Sequence, residues 1–265
     1  MKNPTIQTRI VEPPYFSNWA DQFFPKIAHM ILPFILPYNW ITPNLVTVVS
    51  FAIYTLACLS LFLQFPFHLL VGAILLPIAY IGDCLDGQLA RTKRLFSELG
   101  NYLDKVLDVL KIYIITGSLS FAVYQQSHNI LHLFLGLTAC FFFNFRYYIK
   151  LETIFAAISR DPEYLQKSKD KRESLYEDLN EIYSNLKKTP LGRLKLFWLK
   201  NRTLFIVDEA EFVVITSLGA LLNQLTLALW IIAISQLAIS IFRFFERANQ
   251  TTTNSSRLLW PIPVF

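Results

Sequence analysis

Four aspartates lie in or beside long apolar segments: Asp83 and Asp86, then Asp104 and Asp108. The first two are three apart and the last two are four apart, so on helices each pair faces one direction. A carboxylate at the centre of a bilayer costs roughly 2.5–3.5 kcal/mol on the insertion scale, and such residues are functional by default. Four of them need strong compensation, and bound divalent metal is the simplest. Oxygen donors without a His or thiolate cluster select Mg²⁺ or Mn²⁺, or Ca²⁺, rather than zinc. Mg²⁺ also shares its coordination between carboxylates and substrate phosphates, as a diphosphate would require. The chemistry expected of such a site is the holding of a diphosphate through Mg²⁺ or Mn²⁺, with two ions as the working number.

Small residues complete the pattern. Gly87 follows Asp83 by one turn, and Ala90 follows Asp86 by one turn. The face carrying the acids is bare in its next turn, so a nucleotide can approach the backbone there. Arg91 supplies a planar, permanently charged fork for phosphate. Gly100 lets the following helix start close to its neighbour.

These residues need helices to hold them. The chain has 265 residues, 54% hydrophobic and 16% charged, with 23 phenylalanines. Its charge content lies below the roughly 25% of soluble domains, and its mean hydropathy is +0.40. We expect an all-α polytopic membrane protein with six spans, at 42–64, 68–90, 99–124, 128–149, 205–223 and 225–245. The connections near 64–67, 125–129 and 222–224 contain no Lys or Arg. The positive-inside rule then puts both termini, the connections at 91–98 and 150–204, and the aspartates at the cytoplasmic face. Met1 to Glu12 is polar and has no signal-peptide core. Cys58, Cys84 and Cys140 sit in apolar segments and suggest no disulfide framework.

The expected organisation is an arm and interfacial helix at 1–41, a membrane domain at 42–247 with an insertion at 150–204, and a tail at 248–265. Tyr15 to Leu36 reads as a helix with one apolar face, kinked or divided by Pro25 and Pro33, lying on the membrane or packed inside the protein. Thr42 can cap the first span, with Pro43 in its first turn. The insertion holds half of the basic residues. Leu175, Leu179, Ile182 and Leu186 predict an amphipathic helix within it, and 195–200 a membrane-surface segment. The insertion can cover the site or bind a partner. The tail is expected to be mobile or interfacial. Two glycosylation sequons, at Asn201 and Asn254, read as accidental on a cytoplasmic face.

The stretch Asp83-x-x-Asp86-Gly87-x-x-Ala90-Arg91, eight residues, Gly100-x-x-x-Asp104-x-x-x-Asp108 resembles the signature of the CDP-alcohol phosphatidyltransferase family. The resemblance implies transfer of a phosphoryl-linked alcohol from a CDP carrier to an acceptor hydroxyl, with release of CMP. It implies that Asp83, Asp86, Asp104 and Asp108 hold the metals and that Asp108 is the general base. It also implies that Asn44, after Pro43, helps bind the nucleotide. The partners implied are a CDP-linked lipid or alcohol donor, a hydroxyl acceptor, membrane lipid and a second copy in a homodimer, with no nucleic acid.

The acceptor pocket is less legible. Lys111, three residues after Asp108, can meet an acceptor phosphate, pair with Asp108 or snorkel. Arg146 and Lys150 suit an anionic head group or simple anchoring at the membrane surface. Asp208, Glu209 and Glu211 suit a helix start, a cationic acceptor or a pairing with Arg146. Family members acting on glycerol phosphate typically carry lysine after the last aspartate, and inositol lipid synthases arginine. This chain has Val109 there.

The expected function is phospholipid synthesis: transfer of a phosphatidyl group from CDP-diacylglycerol to a small polar alcohol. The alternative is transfer of phosphocholine or phosphoethanolamine from a CDP-amino-alcohol to a lipid hydroxyl. A cation transporter would place acids deeper in several spans. A silent scaffold would show a broken acid set.

Overall fold

The computed structural model describes residues 19–20, 23–63, 65–95, 97–167 and 207–252. Its elements are α1 (Phe24–Ile35), α2 (Pro43–Phe62), α3 (His68–Lys93), α4 (Glu98–Ser127), α5 (Leu131–Arg160), α6 (Glu209–Leu221) and α7 (Leu225–Thr252). No strand occurs among the described residues, as expected for an all-α chain. The expected helix at 175–186, the segment at 195–200, both sequons, the arm at 1–13 and the end of the tail lie outside them.

Among the described residues, four helices are long and apolar enough to cross a membrane: α2, α3, α4 and, over Leu225–Ala248, α7. α5 overlaps the expected span at 128–149, and α6 occupies part of the one expected at 205–223. α6 has 13 residues. That is about 20 Å of helix against a hydrocarbon core of about 30 Å. α5 runs on to Arg160, into the expected insertion. The physical reason is that Leu151, Ile154, Phe155 and Ile158 continue an apolar stripe at helical spacing. α7 likewise continues to Thr252, into the expected tail.

The chain divides into two units. The first holds α1–α4, α6 and the starts of α5 and α7, through Cys140 and Ile234 respectively. Within it, α1 buries Phe24, Ala28 and Leu32 and exposes Phe23, Met30 and Phe34. Ala28 and Leu32 form a core with Leu85 and Leu89 of α3. Gln88 Nε2 also donates to the Pro25 carbonyl at 2.7 Å. Pro25 opens the helix instead of kinking it, because the first turn has no intrahelical use for its missing N–H.

α2 starts where the sequence puts it. Thr42 is extended, and its hydroxyl accepts from Leu45 N at 3.3 Å, with Pro43 in the first turn. Lys93, at the end of α3, donates to the carbonyls of Tyr38 and Ile41 at 2.8 and 3.0 Å. It thereby ties the α1–α2 connection to the end of the helix that carries the first two aspartates. Ser97 caps α4 by accepting from Gly100 N at 2.9 Å. The link from α3 to α4 is short, so the two helices that carry the acids are neighbours.

The second unit comprises the rest of α5 and α7. Ser240 donates to the Phe142 carbonyl at 2.7 Å, and Arg243 pairs with Glu246 at 2.7 Å. The three cysteines are free thiols.

Candidate active site

Asp83, Asp104 and Asp108 present ligand oxygens that all lie within 4.8 Å of one another. α3 supplies the first and α4 the other two. Asp104 is the outermost, with 41% of its side chain exposed, against 16% for Asp83 and 15% for Asp108. Asp86 is not part of that triple. It is buried, and its Oδ2 accepts a short hydrogen bond from Thr47 Oγ1 of α2.

Two lysines bracket the triple. Lys105 reaches Asp104 Oδ2 at 3.0 Å and Asp108 Oδ2 at 3.8 Å from the exposed side. Lys111 lies on the buried side, where its ammonium bonds Asp83 Oδ1 at 2.6 Å and Asp108 Oδ1 at 3.0 Å. Lys111 therefore does not snorkel. It pairs with Asp108, as one reading of the sequence had it, and with Asp83 as well.

A pocket opens beside the acids, with about 630 Å³ of space counting the solvent at its mouth. Asn44 and Thr47 of α2, Asp86, Gly87, Ala90 and Arg91 of α3, and Gly100 and Asp104 of α4 line it. Every residue expected to hold the nucleotide is on that wall. The helices approach closely to make it. A Cβ on Gly100 would lie 2.8 Å from Asn44 Oδ1, tighter than real side chains pack. Gly82 touches Ser50 across the α2–α3 contact in the same way. Gly87 is different. What its missing side chain leaves open is taken by the Arg91 guanidinium, 3.4 Å from where a Cβ would sit.

The donor set fits a divalent cation. It is all oxygen, it comes from two helices, and cationic side chains already neutralise it. Arg146 and Lys150 belong to the second unit, where each lies over an aromatic ring, Phe143 at 4.9 Å and Tyr147 at 5.2 Å.

At the start of α6, Asp208 and Glu211 form a reciprocal capping box. Glu211 Oε2 accepts from Asp208 N at 3.1 Å, and its Oε1 accepts from Ala20 N at 3.0 Å. Glu211 is a fully buried cap. Glu209 is the first residue of α6.

Sequence reasoning missed Thr47. Its signal was present, since it lies three residues after Asn44 and so on the same face of α2. The capping role of Glu211 was also legible, because Asp208-x-x-Glu211 has the spacing of a capping box.

The described residues thus combine four membrane-length helices with a cluster of acids beside an open pocket. The profile of the CDP-alcohol phosphatidyltransferase family matches residues 40–164. Those residues, just under half of the chain, match that family's domain and contain every member of the acid motif. The family uses CDP-alcohol donors and alcohol acceptors.

Among similar proteins is the bifunctional IPC transferase and DIPP synthase of Thermococcus kodakarensis, 37% identical over 68 residues, which are 26% of this chain and 15% of that protein. Another is the archaetidylinositol phosphate synthase of Pyrococcus horikoshii, 37% identical over 70 residues, 26% of this chain and 36% of that protein. An uncharacterized protein of Aquifex aeolicus is 27% identical over 121 residues, 45% of this chain and 60% of that protein. The chain thus spans less than two thirds of the length of each of these relatives.

Proposed function

We propose that this protein makes a phospholipid by moving a phosphatidyl group from CDP-diacylglycerol to a small polar alcohol, releasing CMP. The observation that carries the reading is the position of the acid triple beside a pocket lined by Asn44, Gly87, Ala90 and Arg91. Carboxylates for metal and a bare, cationic wall for a nucleotide diphosphate are adjacent.

Asp83, Asp86, Asp104 and Asp108 are the residues that would hold Mg²⁺ or Mn²⁺, as two ions. When bound, the metal would neutralise charge on the diphosphate and on the departing CMP. The chain's own residues do the rest. Thr47 fixes the orientation of Asp86. Arg91 offers its fork to a phosphate. The contact between Gly100 and Asn44 sets the width of the pocket.

Asp108 is the base. Its Oδ1 accepts from Lys111, and Oδ2, 3.8 Å from the Lys105 ammonium, is the oxygen that would receive a proton. The acceptor oxygen forms a bond to the phosphorus of the phosphatidyl group. The bond from that phosphorus to the CMP oxygen breaks, the hydroxyl proton passes to Asp108, and CMP leaves with the electron pair.

α5 and α6 would complete a six-helix membrane domain whose site and termini face the cytoplasm, as the distribution of basic residues implies. A homodimer is the working assembly. Because the Pyrococcus relative is an archaetidylinositol phosphate synthase, inositol phosphate is among the acceptors to try.

The test is product analysis. Purified protein with Mg²⁺ or Mn²⁺ receives CDP-diacylglycerol and a panel of acceptors, including glycerol phosphate, inositol and inositol phosphate. Separate reactions combine CDP-choline or CDP-ethanolamine with diacylglycerol. A new phospholipid formed from CDP-diacylglycerol supports the reading. Product from the CDP-amino-alcohols alone replaces it with the head-group transfer reaction.

A further inference from the structure

A carboxylate turns easily about its last side-chain bond, so an aspartate that must aim one oxygen needs a partner to hold it. Each acid of the site has such a partner. Thr47 bonds Asp86, and Lys105 meets Asp104 from the exposed side. Lys111 bonds two acids, one on each helix. Its ammonium lies 2.6 Å from Asp83 Oδ1 on α3 and 3.0 Å from Asp108 Oδ1 on α4.

The lysine takes one oxygen of each acid and leaves the other. For Asp108 the direction of the second oxygen is on the page. Oδ2 lies 3.8 Å from the Lys105 ammonium, whose side chain is 58% exposed. Asp108 is therefore held from the buried side and presents its other oxygen to the open side. Lys111 itself is 4% exposed. An ammonium that deep is costly unless it is closely paired, and a lysine free to choose reaches for water instead. Here the two pairs keep it in place.

We propose that Lys111 is a positioning residue for the transfer: it clamps α3 to α4 through one oxygen each of Asp83 and Asp108, and so aims the second oxygen of Asp108 at the acceptor hydroxyl. The inference rests on the reading of Asp108 as the base. Lys111 touches neither substrate and moves no proton. It belongs to the acids and not to the acceptor pocket.

The experiment is a double-mutant cycle on the full chain in detergent, read first by melting curves in one buffer. The proteins are wild type, Lys111→Met, Asp83→Asn and the double variant. Each single change should lower melting, because each breaks a buried pair and leaves a charge behind. The double variant should melt no lower than Lys111→Met, since the second change removes a carboxylate already left unpaired. Two residues that do not interact would add their losses. Steady-state CMP release then separates aiming from support. Folded Lys111→Met should lose about tenfold or more in kcat, with donor and acceptor KM within about twofold of wild type. Lys111→Arg keeps a cation on the pair and should recover part of the rate. A lysine that only supports the fold would lower melting and leave kcat of the folded protein intact.

Additive losses in melting overturn the proposal. So does a folded Lys111→Met with wild-type kcat, or one in which the acceptor KM alone rises. If Lys111→Met does not fold, the double variant decides: folding regained through Asp83→Asn supports the clamp, and folding not regained overturns it. A set that releases no CMP, wild type included, removes the proposed reaction and the aiming of Asp108, while non-additive melting keeps the clamp between the helices.

Discussion

Gly100 faces the Asn44 side chain so closely that a Cβ there would lie 2.8 Å from Asn44 Oδ1 and 2.9 Å from Ser97 Oγ. Gly100 is in the first turn of α4 and Asn44 in the first turn of α2, so this contact sets how near the two helix starts come. Gly100→Ala should push Asn44 into the pocket or part the helices. Overpacking of this kind costs about 1–3 kcal/mol. The expected result is a lower melting temperature together with a raised KM for the CDP-linked donor, read from CMP release and a thermal melt. A variant with wild-type KM would show that the contact does not shape the pocket.

The Thr47 bond to Asp86 makes a separable prediction. Thr47→Val keeps the shape and removes the donor, leaving a buried carboxylate without that partner. The loss should be about 1.5–3 kcal/mol, or roughly ten- to a hundredfold in kcat/KM, and Thr47→Ser should recover most of it. Steady-state kinetics on the three proteins decides the matter. Equal activity in the valine variant would mean that Asp86 needs no orienting.

Arg91 is expected to recognise the donor through its geometry as well as its charge. Arg91→Lys keeps the charge and loses the fork. The donor KM should rise about tenfold, with the acceptor KM unchanged. Equal effects on both substrates would move Arg91 away from the nucleotide side.

Glu211 should behave as a structural residue. Its two oxygens accept from Asp208 N and Ala20 N, so Glu211→Ala leaves two backbone donors without partners. The expected cost is about 1–3 kcal/mol, read as a fall in melting temperature, with little change in donor or acceptor KM for the protein that stays folded. A specific rise in acceptor KM would instead give it a binding role.

The acids were legible because a bilayer makes carboxylates costly, so their spacing stands out against apolar residues. The start of α2 was legible because Thr42 and Pro43 act on their own helix. Helix periodicity read a helix within Tyr15 to Leu36, and α1 lies there, but the face it packs on α3 is Ala28 and Leu32, while Met30 and Phe34 are exposed. What the sequence hid was contact between distant segments. Thr47 looks like any threonine on an apolar helix until α3 brings Asp86 to it. Lys111 read equally well as an acceptor ligand or a partner of Asp108, with snorkelling behind both, because helical spacing reveals Asp108 and not Asp83 across the helix pair. Glu209 and Glu211 looked alike as acids at a helix start. Spacing to Asp208 marks Glu211 as a cap, and only the fold shows that it also holds Ala20 N, far away in the sequence.

The most direct test of the central claim is CMP release from CDP-diacylglycerol by wild-type protein and by Asp108→Asn, each with Mg²⁺ and with chelator. The account expects release by the wild type in Mg²⁺ alone. It expects a rate at least about 10²-fold lower in Asp108→Asn, with nucleotide binding retained. Release that survives the chelator, or that is as fast in Asp108→Asn as in the wild type, would contradict it.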